Sequence, residues 1–221
     1  MPVNFESYAN IVEELKTNNV TLVAVSKTKP AEEILELYNL GQRDFGENYV
    51  QELTDKYEQL PKDIRWHFIG HLQSNKVKSI TPFVSLIHGV DSEKLLTEIN
   101  KQAEKCDRLT DCLLQIHIAK EETKFGLDEN ELEELLATNF KNLKNVRIRG
   151  LMGMASFTDD LEKVRSEFRF LKSLFDKYSA FAADHSPFTI LSMGMSADYK
   201  IAIEEGSNMV RIGSLLFGKR E

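Results

Sequence analysis

The chain has 221 residues, 42% of them hydrophobic, and a formal net charge of −7. That length suits one large domain that buries a core without staples, and the acidic balance argues against general nucleic-acid or anionic-membrane binding. The two cysteines, Cys106 and Cys112, are too few and too close for a disulfide framework, so the expected setting is the reduced cytoplasm.

The first segment, MPVNFESYANIVEELKTNN, is amphipathic and carries acidic residues. It reads as a helix and not as a signal peptide, and no run of ~18 apolar residues follows to suggest a membrane span. Strand-like runs then alternate with helical patterns. The strands read as TLVAV (21–25), RDFGE (43–47), RWHFIG (65–70) and VSLIHGV (84–90), followed by CLLQIHI (112–118), VRIRGLM (146–152), FTILSM (188–193) and NMVRIG (208–213). Between them apolar residues recur at helical spacing, as with Ile34, Leu35, Leu37 and Tyr38 in AEEILELYNLG. Pro30 and Asp128 fit helix starts, and Gly41 and Gly206 fit helix ends.

Eight strand–helix units point to parallel βαβ connections. A doubly wound sheet usually has fewer strands and a glycine-rich first turn, whereas the first turn here is SKTKP. The expected fold class is therefore α/β: a closed (β/α)8 TIM barrel preceded by one extra N-terminal helix. With no Pro/Gly/Ser-rich linker, residues 1–221 read as a single domain.

In such a barrel the strand C-termini and the loops after them form the functional face. In LVAVSKTKP, alternation puts Val23, Val25 and Lys27 on one face, which ends an apolar wall with an ammonium group. Near the chain's end, SMGMSADYKIAIEEG follows the seventh strand and MVRIGSLLFG carries the eighth. Barrels often seat a phosphate between these two loops, against a short helix. Gly194 and Gly213 would let the backbone approach closely, Ser196 could donate a hydroxyl, and Arg211 adds a permanent cation. The plainer reading is that Ser196 caps the last helix and the glycines make turns.

An amine facing an anion cradle suits pyridoxal phosphate (PLP), which needs both. A lone strand-end lysine more often snorkels to solvent, and Lys29 and Lys76 are weaker candidates for the same role. A Schiff-base aldolase without a cofactor would also use Lys27. His67 and His71, four residues apart in HFIGH, align as metal ligands only on a helix, and here the spacing crosses a strand end.

LVAVSKTKP, FGENYVQE, WHFIGHLQSNK, RGLMGM, SMGMSADYKIAIEEGSNMVRIG and FGKRE, in that order, resemble the pyridoxal phosphate homeostasis family, also called YggS or PROSC. The resemblance implies a barrel similar to the alanine racemase N-terminal domain, with PLP held as an internal aldimine on Lys27. It places the phosphate-binding segment on Gly194, Ser196, Arg211 and Gly213. It puts Asn48 beside the cofactor and Met152 behind the ring. It gives Lys124 in Lys124–Phe125–Gly126 no role, and His71 is a candidate for the pocket rim.

Racemisation needs a second acid/base on the far side of the substrate α-carbon. Alanine racemase-like enzymes draw part of that apparatus from a second domain, whereas this chain ends within three residues of LLFG, leaving Tyr199 as the one arguable tyrosine. The resemblance thus implies a PLP carrier in vitamin B6 and amino-acid balance, without catalytic turnover. The alternative is a low-activity PLP-dependent amino-acid racemase. A monomer with transient contacts to PLP-dependent apoenzymes is the expected working form.

Overall fold

The computed structural model describes residues 3–119, 125–138, 143–182 and 187–218. Eight parallel strands close into a barrel in sequence order. They are β1 (Thr21–Val25), β2 (Asp44–Glu47), β3 (Arg65–Phe68), β4 (Leu86–Val90), β5 (Thr110–Ile116), β6 (Val146–Gly153), β7 (Ile190–Met195) and β8 (Met209–Ile212). The barrel closes where Val23 and Ala24 of β1 pair with Arg211 and Ile212 of β8. The helices are α1 (Phe5–Thr17), α2 (Ala31–Asn39), α3 (Val50–Gln59), α4 (Val77–Ile80), α5 (Glu93–Lys105), α6 (Glu129–Thr138), α7 (Leu161–Ala182), α8 (Tyr199–Glu204) and α9 (Ser214–Phe217). The barrel and its extra N-terminal helix agree with the sequence reading. No helix among the described residues is long and apolar enough to cross a membrane.

The helices start and stop where local chemistry dictates. Asp128 and Glu131 form a reciprocal capping box: Glu131 N–H donates to Asp128 Oδ1 at 2.8 Å, and Asp128 N–H donates to Glu131 Oε2 at 2.9 Å. Gly41 and Gly206, at φ +101° and +95°, take the left-handed conformation that ends α2 and α8.

Two apolar clusters follow from the two faces of each strand. The larger lies between sheet and helices and includes Leu22, Ala24, Phe45, Trp66 and Ile148. The smaller fills the barrel interior with Val23, Leu86, Leu113, Met152 and Met209. The alternation read in β1 is thus realised, with Val23 inward and Leu22 and Ala24 against the helices.

Candidate functional site

A cavity of about 330 Å³ opens at the C-terminal end of the strands. β1 ends at Val25, and residues 26–29 turn back on themselves, with Lys29 N–H donating to Ser26 O at 3.0 Å. Lys27 sits in this turn, half-buried, and lines the cavity. Lys29 lines it too, but its Nζ donates to Phe217 O at 2.7 Å and lies 3.6 Å from Glu33. Lys76 is exposed and lines a neighbouring groove instead.

Across the cavity stand the loops after β7 and β8. Met195 N–H donates to Asp198 Oδ1 at 2.6 Å and Asp198 N–H returns to Met195 O at 3.1 Å, which makes a tight turn before α8. Ser196 does not cap that helix; its Oγ accepts from Gly213 N–H at 3.2 Å and so ties the two loops together. Ser196, Gly213 and Ser214 all line the cavity. Gly194 does not line it. Its backbone has φ +94°, and an added Cβ would lie 2.5 Å from Ala202 Cβ, so glycine here lets α8 close onto β7.

Asn48, just past β2, lines both the cavity and the neighbouring groove, and its Oδ1 is buried without a hydrogen-bond partner. An orphaned acceptor beside a cavity is an expensive feature unless a ligand donates to it. Met152 lies lower, among the interior apolar side chains, and Met154, two residues on, supplies the cavity wall. The loop beyond it is pinned by Glu167 of α7, which accepts from Ser156 N–H at 2.6 Å and from Ser156 Oγ at 2.7 Å.

Arg211 is buried inside the barrel and reaches the cavity from below. One terminal nitrogen donates to Ser192 O (3.0 Å) and Ser192 Oγ (2.6 Å), and the other to Gly153 O (3.0 Å). Burial pulls its guanidinium down to about 10, with Asp198 opposing. From Ser192 a polar chain runs through the barrel: Ser192 Oγ to His88 Nδ1 (3.2 Å), His88 Nε2 to His67 Nδ1 (2.9 Å), and His67 Nε2 to Asp44 Oδ1 (3.0 Å). Burial, reinforced by His67 and Arg211, holds His88 well below the usual histidine range. Burial alone would raise the Asp44 carboxyl, yet hydrogen bonds and charge from His67 and Arg65 together hold it below its usual value. A guanidinium only donates and a carboxylate only accepts, so one ordering of protons satisfies every link from Arg211 to Asp44. This chain fixes the Arg211 fork from beneath. The sequence reading had missed it, although period-two alternation in RWHF and LIHGV places both imidazoles inside.

The remaining candidates disperse. His67 belongs to the interior chain, whereas His71 stacks on Phe125 with ring centroids 4.1 Å apart and meets Asp91 at 3.1 Å, so the two do not converge. The His71 ring lines the neighbouring groove and not the cavity. Tyr199 is buried and its hydroxyl is 3.0 Å from Glu14 of α1. Burial and that carboxylate push its phenol up to about 12, and it does not line the cavity. Lys124 lies outside the described residues.

Comparison with known proteins gives this geometry a family. The model described as the alanine racemase N-terminal domain matches residues 4–221. The chain is 44% identical over 208 residues to a pyridoxal phosphate homeostasis protein of Aquifex aeolicus (strain VF5), covering 92% of this chain and 89% of the relative. It is 40% identical over 210 residues to the Homo sapiens protein of the same name, covering 90% and 76%. Among solved structures, PipY of Synechococcus elongatus PCC7942 with PLP bound superposes with a TM-score of 0.88 at 36% identity, covering 96% of this chain and 99% of that one. By sequence and by fold alike, the chain belongs to the pyridoxal phosphate homeostasis protein family.

Proposed function

We propose that this chain binds PLP in the cavity at the C-terminal end of its barrel, holds it through Lys27, and serves intracellular PLP homeostasis without turning over amino acids. The observation that carries the reading is one cavity lined by Lys27 on one side and by the joined β7 and β8 loops on the other. A small ligand with an electrophile at one end and an anion at the other suits that layout, and a solved relative is described with PLP bound. The residues present fit the group: Asn48 offers its orphaned buried acceptor, and the Ser196 and Gly213 segments offer polar backbone for a phosphate. Arg211 supplies a fixed cation beneath. When bound, PLP supplies an aldehyde that an amine captures reversibly with loss of water.

The non-catalytic part of the proposal rests on what lines the cavity. Racemisation needs a second proton donor or acceptor opposite the lysine. Among the described lining residues there is no tyrosine, histidine or cysteine; the carboxylate on the lining, Asp198, accepts the Met195 N–H at 2.6 Å within its own turn, and the Tyr199 hydroxyl faces Glu14. Within this reading the chain works as one PLP-binding barrel, a monomer in transient contact with apoenzymes. Tyr49 and Phe157, 60% and 95% exposed, offer apolar rings beside the mouth for such contacts.

Borohydride reduction in the presence of PLP, followed by peptide mapping, tests the site. The expected label falls on Lys27; label on Lys29 or Lys76 moves the site and refutes the assignment. Incubating the PLP-loaded protein with single L-amino acids tests the carrier reading. Inversion at ordinary enzyme rates, above about 1 per second, would replace it with a racemase.

A further inference from the structure

The turn that bears Lys27 is held by groups that play no part in the cavity. Thr28, the next residue, has φ +65°, a left-handed conformation that a β-branched side chain rarely adopts. Such a conformation persists only where its surroundings over-determine it. Here Glu52 of α3 accepts the Thr28 N–H at 2.5 Å. The same Glu52 oxygen accepts from Lys56 Nζ at 2.7 Å, and Lys56 Nζ donates in turn to Ser26 O and to Glu47 Oε1, each at 2.7 Å. Ser26 Oγ closes the set on Glu47 Oε1 at 2.6 Å. The backbone on both sides of Lys27 is thus tied, through Ser26 O and Thr28 N, to one ion cluster on the outer face of the barrel, buried at Glu47 and Lys56 and half-buried at Glu52.

Stability alone gives little reason for such a cluster. The Glu47 side chain is fully buried and Lys56 nearly so, and taking both out of water offsets much of their attraction. Glu47 Oε2 is buried without a partner. Glu47 and Glu52 both belong to FGENYVQE, a stretch for which the cavity itself uses only Asn48.

We propose that Glu47, Glu52 and Lys56 are positioning residues: they clamp residues 26–28 so that the Lys27 amine is presented to the cavity, and loss of the Glu47 charge loosens the clamp. The inference rests on Lys27 being the residue that holds PLP. The charged groups facing Glu47 are Lys56 and Glu52 from α3, and the Ser26 hydroxyl faces it from the end of β1. Burial pushes the Glu47 carboxyl up to about 6, with Lys56 and the Ser26 hydroxyl opposing and Glu52 adding to the rise. The sign follows. A carboxyl raised above its unfolded value makes the folded state gain stability as pH falls from above 6 to below the ordinary carboxylate range. Folding and clamping therefore respond in opposite directions: acidification keeps the barrel folded while it slackens the turn.

The test is the rate of covalent PLP capture, followed by absorbance in the intact protein, together with its thermal midpoint. Glu52→Ala is expected to slow capture by about tenfold (about 1.4 kcal/mol in the barrier), with the midpoint little changed because Lys56 keeps Glu47 and Ser26 O. Glu52→Gln, which retains an acceptor for the Thr28 amide, is expected to recover most of that rate. Between pH 5 and 8 the parent rate carries an inflection near 6 that Glu47→Gln removes without lowering the midpoint. Parent-like rates in Glu52→Ala, or an unchanged inflection in Glu47→Gln, overturn the clamp. Borohydride mapping of the parent separates the two layers: label on Lys27 with unaltered variant rates refutes the clamp alone, whereas label elsewhere removes the site and the clamp together.

Discussion

Lys27→Ala is expected to retain PLP at least about 100-fold less tightly than the parent, a loss of about 2.7 kcal/mol or more, and to lose the borohydride-trapped adduct altogether. The adduct forms when a neutral amine adds to the aldehyde and water is then expelled, and the alanine side chain has no amine. The polar contacts available from Asn48, Ser196, Gly213 and Arg211 remain in the variant. Non-covalent binding therefore persists, and the covalent share is what disappears. Gel filtration of the PLP-loaded proteins, with absorbance of the protein fraction, measures that share directly.

Two features make the outcome readable. Lys27 lies in a half-buried turn whose backbone is held by Ser26, Glu47, Glu52 and Lys56, so removing its side chain leaves the turn's anchors in place. Lys29 and Lys56 do not stand in for it. The Lys29 amine is drawn to Phe217 O and Glu33, and the Lys56 amine has Ser26 O, Glu47 and Glu52 as three acceptors. Lys27→Arg keeps the charge and much of the length but cannot form the adduct, and is expected to behave as the alanine variant does. Undiminished trapping in either variant would place the reactive amine elsewhere.

The barrel was legible because each strand carries its burial in its pattern. TLVAV and the observed Thr21–Val25 coincide, and most strands differ from their expected bounds by one or two residues. Asp128, Gly41 and Gly206 marked helix ends through chemistry that acts within a single turn. Helix α9 escaped because four residues, Ser214–Phe217, are too few to show a period. Lys27 and the β7–β8 loops were readable as strand-end positions, but their heights were not. Met152 and Met154 differ by two residues, roughly 6.6 Å along a strand, and only the closed barrel shows that the upper one meets the cavity. Alternation in RWHF and LIHGV turns His67 and His88 inward, but their contact, like that of Glu47 with Lys56, joins residues from different elements whose spacing in sequence follows no motif, so the pairings emerge only from the packing.

Gly150→Ala is expected to cost at least about 3 kcal/mol of folding stability, lowering the thermal midpoint by about 6–12 °C for a domain of this size. Along β5 the register passes from Cys112↔Ile148 to Leu113↔Gly150, so Arg149 is an extra residue and β6 bulges there. The bulge lets Met152 turn inward although Ile148, four residues earlier, faces the helices. It also leaves Gly150 at φ +148°, where an added Cβ would lie 1.9 Å from Ile190 O and 2.9 Å from Ile190 C. Those atoms are backbone of β7, directly paired with Gly150, and cannot swing aside. Relief requires β6 and β7 to separate, which also disturbs Ser192 and the Arg211 fork it holds. Gly41→Ala provides the comparison: its φ is also positive, but nothing lies within 4 Å of the added Cβ, so it pays only backbone strain of about 1–2 kcal/mol. If thermal unfolding shows the two variants equally stable, the close approach of β6 to β7 at residue 150 is not what fixes this side of the barrel.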